Sequence, residues 1–383
     1  LNTSLKKLIF LFILINLILI LLPDFLTNNS IWFKDSLIIL TNFFNPLFIV
    51  FCIIYYLLIK GSIQFNAILI SALLYTITVV FSSIIGNNPI KNIFIGIYFF
   101  AFTIFIFTIY REIYFDININ ILYALILWQL IPLILILDPD LRNVFIDDFE
   151  NSYHGFSGSR VEYGLWSLIT IILLVAYKQR INQYIYLTSL GGTLFGLFLS
   201  QSRSSFIALG ICLIYKNIQN SKHILRKFIF LSISSALIAI VLLSWEIFGR
   251  ENVFVFLNQT RVEIFLAYLN GMTIDNLLLG NGGQVSITLE GGQITQAHNL
   301  LLQWLVNWGV MGLISLCAFI FIFWSSLRSL NSKYLFIAFF FYSFTQPIQG
   351  TANFFGPVTM IYFLLTIGLE LDSRFVKTRV GNV

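Results

Sequence analysis

The sequence predicts an all-α fold, a polytopic transmembrane helical bundle of about twelve spans with a large extracytoplasmic loop containing short helices. Three observations predict it. The 383 residues are 58% hydrophobic and only 10% charged, with a mean hydropathy of +0.89. A soluble domain carries roughly a quarter charged residues and needs them to cover its surface. The apolar residues also fall in continuous runs near the bilayer-spanning length of roughly 20 residues, without the two-residue alternation of a barrel strand. Finally, the basic residues between those runs alternate in density from one connection to the next. A cytosolic enzyme, a disulfide scaffold and a disordered chain are excluded. Nucleic-acid binding is a poor fit, because the basic residues form no patch.

Each run is bounded by charge or by turn residues. The first, 5–22, carries Lys6 and Lys7 at its head, ahead of its apolar stretch, and looks like a signal sequence; no small-residue cleavage site follows Leu22, so it is expected to stay as a span. The next four are 37–59, 65–85, 92–110 and 119–137, closed in turn by Lys60, a turn, Arg111 and Asp138. Then come 163–177, 182–200 and 204–216, the last two forming either one broken helix or a tight hairpin around Ser200–Ser205. The final four are 228–245, 309–327, 334–347 and 355–371. Cys52, Cys212 and Cys317 lie inside these runs and read as small hydrophobes.

Lys and Arg set the orientation. With the N-terminus inside and the spans alternating, fifteen basic residues against four acidic ones face the cytoplasm, a charge of +11. Seven against thirteen face outward, a charge of −6. Both termini are then cytoplasmic. The chain is expected to be a single integral domain, 1–383, with outer loops at 138–162 and 246–298. The outer basic set holds five Arg and two Lys, against six and nine inside. Topology does not require that excess, and guanidinium geometry suits anions; scatter among seven residues is the alternative.

Four places carry candidate chemistry. Arg203 sits between two apolar runs, in Leu199-Ser-Gln-Ser-Arg-Ser-Ser-Phe206, with Ser202 and Ser204 on either side. Placing Arg near hydrocarbon is costly, so it is expected to face a polar cavity where hydroxyls and guanidinium meet a phosphate. The alternative is an interfacial Arg that snorkels. Arg261 follows Asn258 and Thr260, either of which could cap a short helix over 259–269. A cation is disfavoured in a first turn, so Arg261 is placed either for a ligand or as a loop partner of Glu263. His298 precedes Asn299, Gln303 and Asn307, which recur every four residues as one polar stripe on an apolar helix. A His there fits a general base, or else a helix cap. Arg160, before the sixth span, adds positive charge to the same face or pairs with Glu162. His223 and His154 read as loop residues.

No cofactor is expected. Three scattered His and three in-span Cys make no metal site. Gly280-Asn-Gly-Gly283 lacks the strand–turn–helix setting of a nucleotide fingerprint, and no P-loop occurs. The acidic groups Asp138/Asp140 and Asp147/Asp148/Glu150 read as an exposed acidic loop.

The ordered set resembles the O-antigen ligase and O-antigen polymerase family of bacterial envelope glycosyltransferases. Ser202-Arg203-Ser204 is similar to the family's Ser-Arg-Ser segment between two spans. Arg261 through Gly280-Asn-Gly282 is similar to its large loop, which runs from an Arg to a Gly-X-Gly turn. His298-Asn299-Leu300 through Gly309-Val-Met-Gly312 is similar to its His-Asn followed by leucines and Gly-X-X-Gly. Here the motif reads Gln-Ser-Arg-Ser, where the family often has small or Thr/Gly residues first.

The resemblance implies a bacterial inner-membrane enzyme, multi-pass, acting at the periplasmic face in lipopolysaccharide or surface polysaccharide biosynthesis. Its donor would be a glycan on a polyprenyl (undecaprenyl) pyrophosphate. Its acceptor would be another glycan repeat in a polymerase, or a lipid A core in a ligase. Arg203 and Arg261, with Arg160 a weaker match, would bind the pyrophosphate, and His298 would activate the acceptor hydroxyl. Displacement would invert the anomeric carbon without a metal. Partners would be membrane lipids and a polysaccharide chain-length regulator, with no nucleic acid. A lipid-linked oligosaccharide transporter and a non-catalytic assembly protein are the readings from other classes. A transporter would place charges in mid-span and show related halves, and neither pattern is evident in the sequence.

Overall fold

The computed structural model describes residues 3–21, 31–85, 89–113, 118–147, 152–157, 160–220, 266–268, 270, 272–282, 287–288, 294–295, 300–345 and 357–380. The described residues are almost wholly helical. In chain order the helices are α1 (Thr3–Leu21), α2 (Ile31–Lys60), α3 (Ala67–Ile85) and α4 (Pro89–Ile104). They continue with α5 (Asn118–Leu135), α6 (Pro139–Phe145), α7 (Arg160–Ala176), α8 (Gln183–Ser200) and α9 (Arg203–Asn220). The last four are α10 (Ile274–Leu279), α11 (Leu300–Ser326), α12 (Leu330–Thr345) and α13 (Pro357–Val380). Two antiparallel ladders of two residues a strand join β1 (Ile146–Asp147) to β2 (Ser152–Tyr153) and β3 (Ile287–Thr288) to β4 (Ile294–Thr295).

Of the twelve apolar runs, 228–245 lies outside the described residues, and each of the other eleven falls on a described helix. Among the described residues, three helical segments are long and apolar enough to cross a membrane: Ala67–Ile84, Ile93–Tyr110 and Leu301–Ser326. Shorter apolar stretches are Phe44–Lys60, Ile119–Leu135 and Ser204–Lys216. The structure decides one open point. Gln201 turns left-handed (φ 51°) after α8, and α9 departs from the next turn, so the 182–216 region is two helices. They are not a hairpin packed on itself: α8 lies mainly on α7 and α5, and α9 on α12 and α7.

Helix α7 is the centre. Every residue from Tyr163 to Leu174 is buried, which leaves no lipid-facing side over that stretch. Around it pack α5, α8, α9 and α12. A second group is built on α3, which lies between α4 and α11. Aromatic rings fasten the groups together. Phe323 of α11 stacks on Phe363 of α13 at 5.3 Å and meets Phe107 edge-on at 5.1 Å. Phe107 belongs to a π-helical turn, Phe105–Tyr110, that continues α4.

Polar groups inside such an apolar bundle need partners, because hydrocarbon supplies none. Asn16 and Asn45 exchange side-chain hydrogen bonds at 3.1 and 2.8 Å and so bind α1 to α2. Glu370 of α13 does the same at one end of the bundle. One carboxylate oxygen accepts from the backbone N–H of Arg328 (2.8 Å) and of Ser329 (2.7 Å), and the Ser332 hydroxyl lies 2.9 Å away. Those are the otherwise unsatisfied donors at the head of α12. Nearby, the Tyr177 hydroxyl donates to Asp372. Glu370 is 3% exposed, so its removal leaves buried donors bare. Glu370→Ala is therefore expected to destabilise the protein by about 2–4 kcal/mol. Glu112→Ala, which removes the partly exposed partner of Lys60 and Tyr56, should cost only about 1 kcal/mol. Thermal unfolding of the detergent-solubilised variants checks the ranking.

Candidate active site at the heads of α7 and α9

The turn between α8 and α9 is made of serines. Ser200 Oγ donates to Leu197 O at 2.7 Å and lies 3.4 Å from the Ser202 N–H. Ser202 O accepts from the N–H of Ser205 and of Phe206, both at 3.2 Å, which makes Ser202 the residue that opens α9. The Ser202 and Ser205 hydroxyls are 2.9 Å apart and share a hydrogen bond. All four serines, Ser200, Ser202, Ser204 and Ser205, are buried. Arg203 is the first residue of α9, and its side chain lies outside the described residues.

Gly164 explains why that turn sits where it does. A methyl group on Gly164 would overlap the Ser202 side chain and come within 2.6 Å of Ser205 Oγ. Only a glycine lets the head of α9 seat this deeply on α7. Arg160, the first residue of α7, is one helical turn before Gly164. The fold therefore brings the heads of two long helices together, each opened by an arginine that the sequence singles out. Helix heads carry unpaired N–H donors and partial positive charge, so the pair favours an anion. Tyr342 of α12 closes the side of this corner by donating to Val161 O at 2.8 Å.

Tyr163 carries the support. Its ring lies edge-on to Tyr153 of the β1–β2 hairpin at 4.9 Å and stacks on Trp128 of α5 at 5.9 Å. Methyl groups on Gly155 or Gly196 would strike the same ring or its hydroxyl. Behind it, Ser167 Oγ lies 2.9 Å from Gln129 Oε1. Burial, reinforced by the neighbouring Tyr163, holds the Tyr153 phenol well above its ordinary range, so it stays protonated. In the same hairpin, His154 Nδ1 is 3.0 Å from Ser157 O, the local bond of a loop residue.

The predicted polar stripe lies on α11. Gln303 Nε2 donates to Asn307 Oδ1 at 2.8 Å, and the two residues are 2% and 1% exposed, so this part of the stripe faces protein. The helix begins nine residues before the expected run at 309–327 and breaks at Gly309, where that run was to start. His298, Asn299 and Arg261 lie outside the described residues. Of the 259–269 stretch, residues 266–268 are helical. The sequence alone did not single out Gly164 or Tyr163. Only one signal pointed to them, a small residue four positions after a candidate Arg, in Arg160-Val-Glu-Tyr-Gly164.

Comparison with known proteins adds one match. Residues 188–317 match the family model described as O-Antigen ligase. That stretch is about a third of the chain and contains Arg203, Arg261 and His298, while Arg160 lies before it. The match supports the O-antigen ligase and polymerase family, and with it membrane glycosyl transfer in O-antigen assembly from a lipid-linked glycan to an acceptor. No curated protein and no solved structure matches the chain.

The tight seat of Gly164 gives a stability test. Gly164→Ala should cost about 1–3 kcal/mol, because Ser202 and the backbone that carries it must move. Gly164→Val should cost more, and thermal unfolding in detergent reads both. A Gly164→Val protein as stable as wild type would mean that the two helix heads do not touch.

Proposed function

We propose that the protein is a membrane glycosyltransferase that takes a glycan from a polyprenyl-pyrophosphate carrier and polymerises surface polysaccharide (O-antigen) repeat units at the periplasmic face. One observation carries the reading: the heads of α7 and α9, opened by Arg160 and Arg203, meet through Gly164 beside four buried serines. A pyrophosphate is the anion suited to such a corner. Its oxygens take bidentate guanidinium bonds and helix-head N–H donors at once. Arg203 and Arg261, helped by Arg160, bind the pyrophosphate and stabilise the negative charge that grows on it as the sugar leaves. Ser202 and Ser204 line the turn. His298 removes the proton from the acceptor hydroxyl as that oxygen attacks the anomeric carbon. The bond to the phosphate oxygen breaks on the opposite face, so the configuration inverts and the polyprenyl pyrophosphate departs. The protein supplies charge and a base for this step, and no metal is required.

In this reading the protein crosses a bacterial inner membrane about twelve times, with both termini in the cytoplasm and the 246–298 loop outside. Arg261 and His298 are, in this reading, the loop's contribution to the transfer site. Ligation to a lipid A core is the second reading, favoured by the description of the matched family. A chain-length regulator is a partner of the polymerase reading only.

Two variants test the chemistry. His298→Ala, expressed at the wild-type level, should lower transfer by at least about 100-fold, the usual worth of a general base. Arg203→Lys should lower it by roughly 10–100-fold, because an ammonium cannot make the bidentate contact. Surface glycan made at the wild-type level by either variant would refute the role given to that residue. A deletion strain separates the acceptors. Surface glycan of single repeats means polymerase, unattached lipid-linked polymer means ligase, and a normal ladder means neither.

A further inference from the structure

Helix α11 is broken by design of its sequence. Gly309 has φ 67° and ψ −172°, so the helical hydrogen bonding stops at that residue. The carbonyls of the preceding turn then lose their usual partners. A turn of the large loop supplies new ones. Asn281 donates twice to Val306 O, from its backbone N–H at 3.0 Å and from Nδ2 at 2.9 Å. The Gly282 N–H donates to Asn307 O at 3.1 Å, and Ser82 Oγ of α3 reaches the same oxygen at 3.3 Å.

The fit is backbone against backbone. A methyl group on Gly280 would lie 2.5 Å from the Gly309 nitrogen, and one on Gly309 would lie 2.5 Å from the Gly280 nitrogen. Both glycines have positive φ, 79° and 67°. Neither site therefore accepts a side chain, on grounds of space and of conformation. Helix α10, which leads into the turn, lies along α11 and reaches α3.

We propose that the Gly280-Asn-Gly282 turn is a positioning element for the transfer site, with Asn281 as its key residue. The turn replaces the helix bonds lost at Gly309 and so fixes the half-helix 300–308 at an angle of its own. That half-helix carries the buried Gln303–Asn307 pair and begins two residues after His298 in the sequence. Asn281 touches no reacting atom; it acts by holding the segment from which the base enters. This inference rests on the glycosyl-transfer reading for its catalytic part, while the latch itself stands on geometry alone.

The test uses the full chain in lipid nanodiscs, with a polyprenyl-pyrophosphate-linked oligosaccharide as donor. Asn281→Ala removes the side-chain bond and keeps the backbone one. Its amides over 272–282 should exchange with solvent roughly three- to tenfold faster, the loss expected for one buried hydrogen bond. Its kcat should fall roughly ten- to hundredfold, as for a misplaced catalytic group, while the KM for the donor stays within about twofold of wild type. Asn281→Asp presents an oxygen to Val306 O and should be at least as impaired. Unchanged exchange in both variants overturns the latch. Faster exchange with an unchanged kcat overturns the positioning role, as does a loss confined to KM. A wild-type protein that transfers no sugar refutes the proposed function and with it the catalytic part, while the exchange rates still decide the latch.

Discussion

The contact of Gly164 with Ser202 and Ser205 is the constraint on which the rest of the site depends. Two helix heads repel each other electrostatically, since each carries partial positive charge. They are pressed together here because α7 is buried on every side over 163–174 and because one residue on it has no side chain. The packing energy of the central helix offsets the repulsion. What results is two helix heads, each with the partial positive charge of its N-terminus, held in direct contact.

The same economy of partners governs the remaining polar groups. In an apolar bundle each broken backbone bond must be answered by a specific donor or acceptor. Gly309 breaks α11, and Asn281, Gly282 and Ser82 answer it. The head of α12 is answered by Glu370 from α13. Asn16 and Asn45 answer each other. These contacts join segments far apart in sequence, so each one fixes the bundle as well as satisfying a group.

Much of the helical layout was legible in the sequence, because hydrophobic runs bounded by charge are a long-range and redundant signal. The break at Gly309 was mistaken for a span start, since a glycine between apolar residues looks alike in both cases. The two helices at 182–216 could not be told from one, because the deciding feature is the left-handed backbone of a single residue, Gln201. Among the candidate site residues, Arg203 and Ser202 were legible as polar residues where polar residues are costly. Gly164 was not, because its importance is a space that only the packed partner reveals. Asn281 was passed over as part of a glycine-rich turn, since its bond partners are backbone carbonyls, and every residue has those.

The central claim is that the converged helix heads hold a pyrophosphate while a glycosidic bond forms. The most direct measurement is on purified protein in nanodiscs, given only a polyprenyl-pyrophosphate-linked oligosaccharide. The free polyprenyl pyrophosphate released is counted against the new glycosidic bonds formed. The account predicts one carrier released per bond, with the anomeric configuration inverted and no nucleotide consumed. Donor that crosses the bilayer with its sugar–phosphate bond intact would contradict it and point to a transporter.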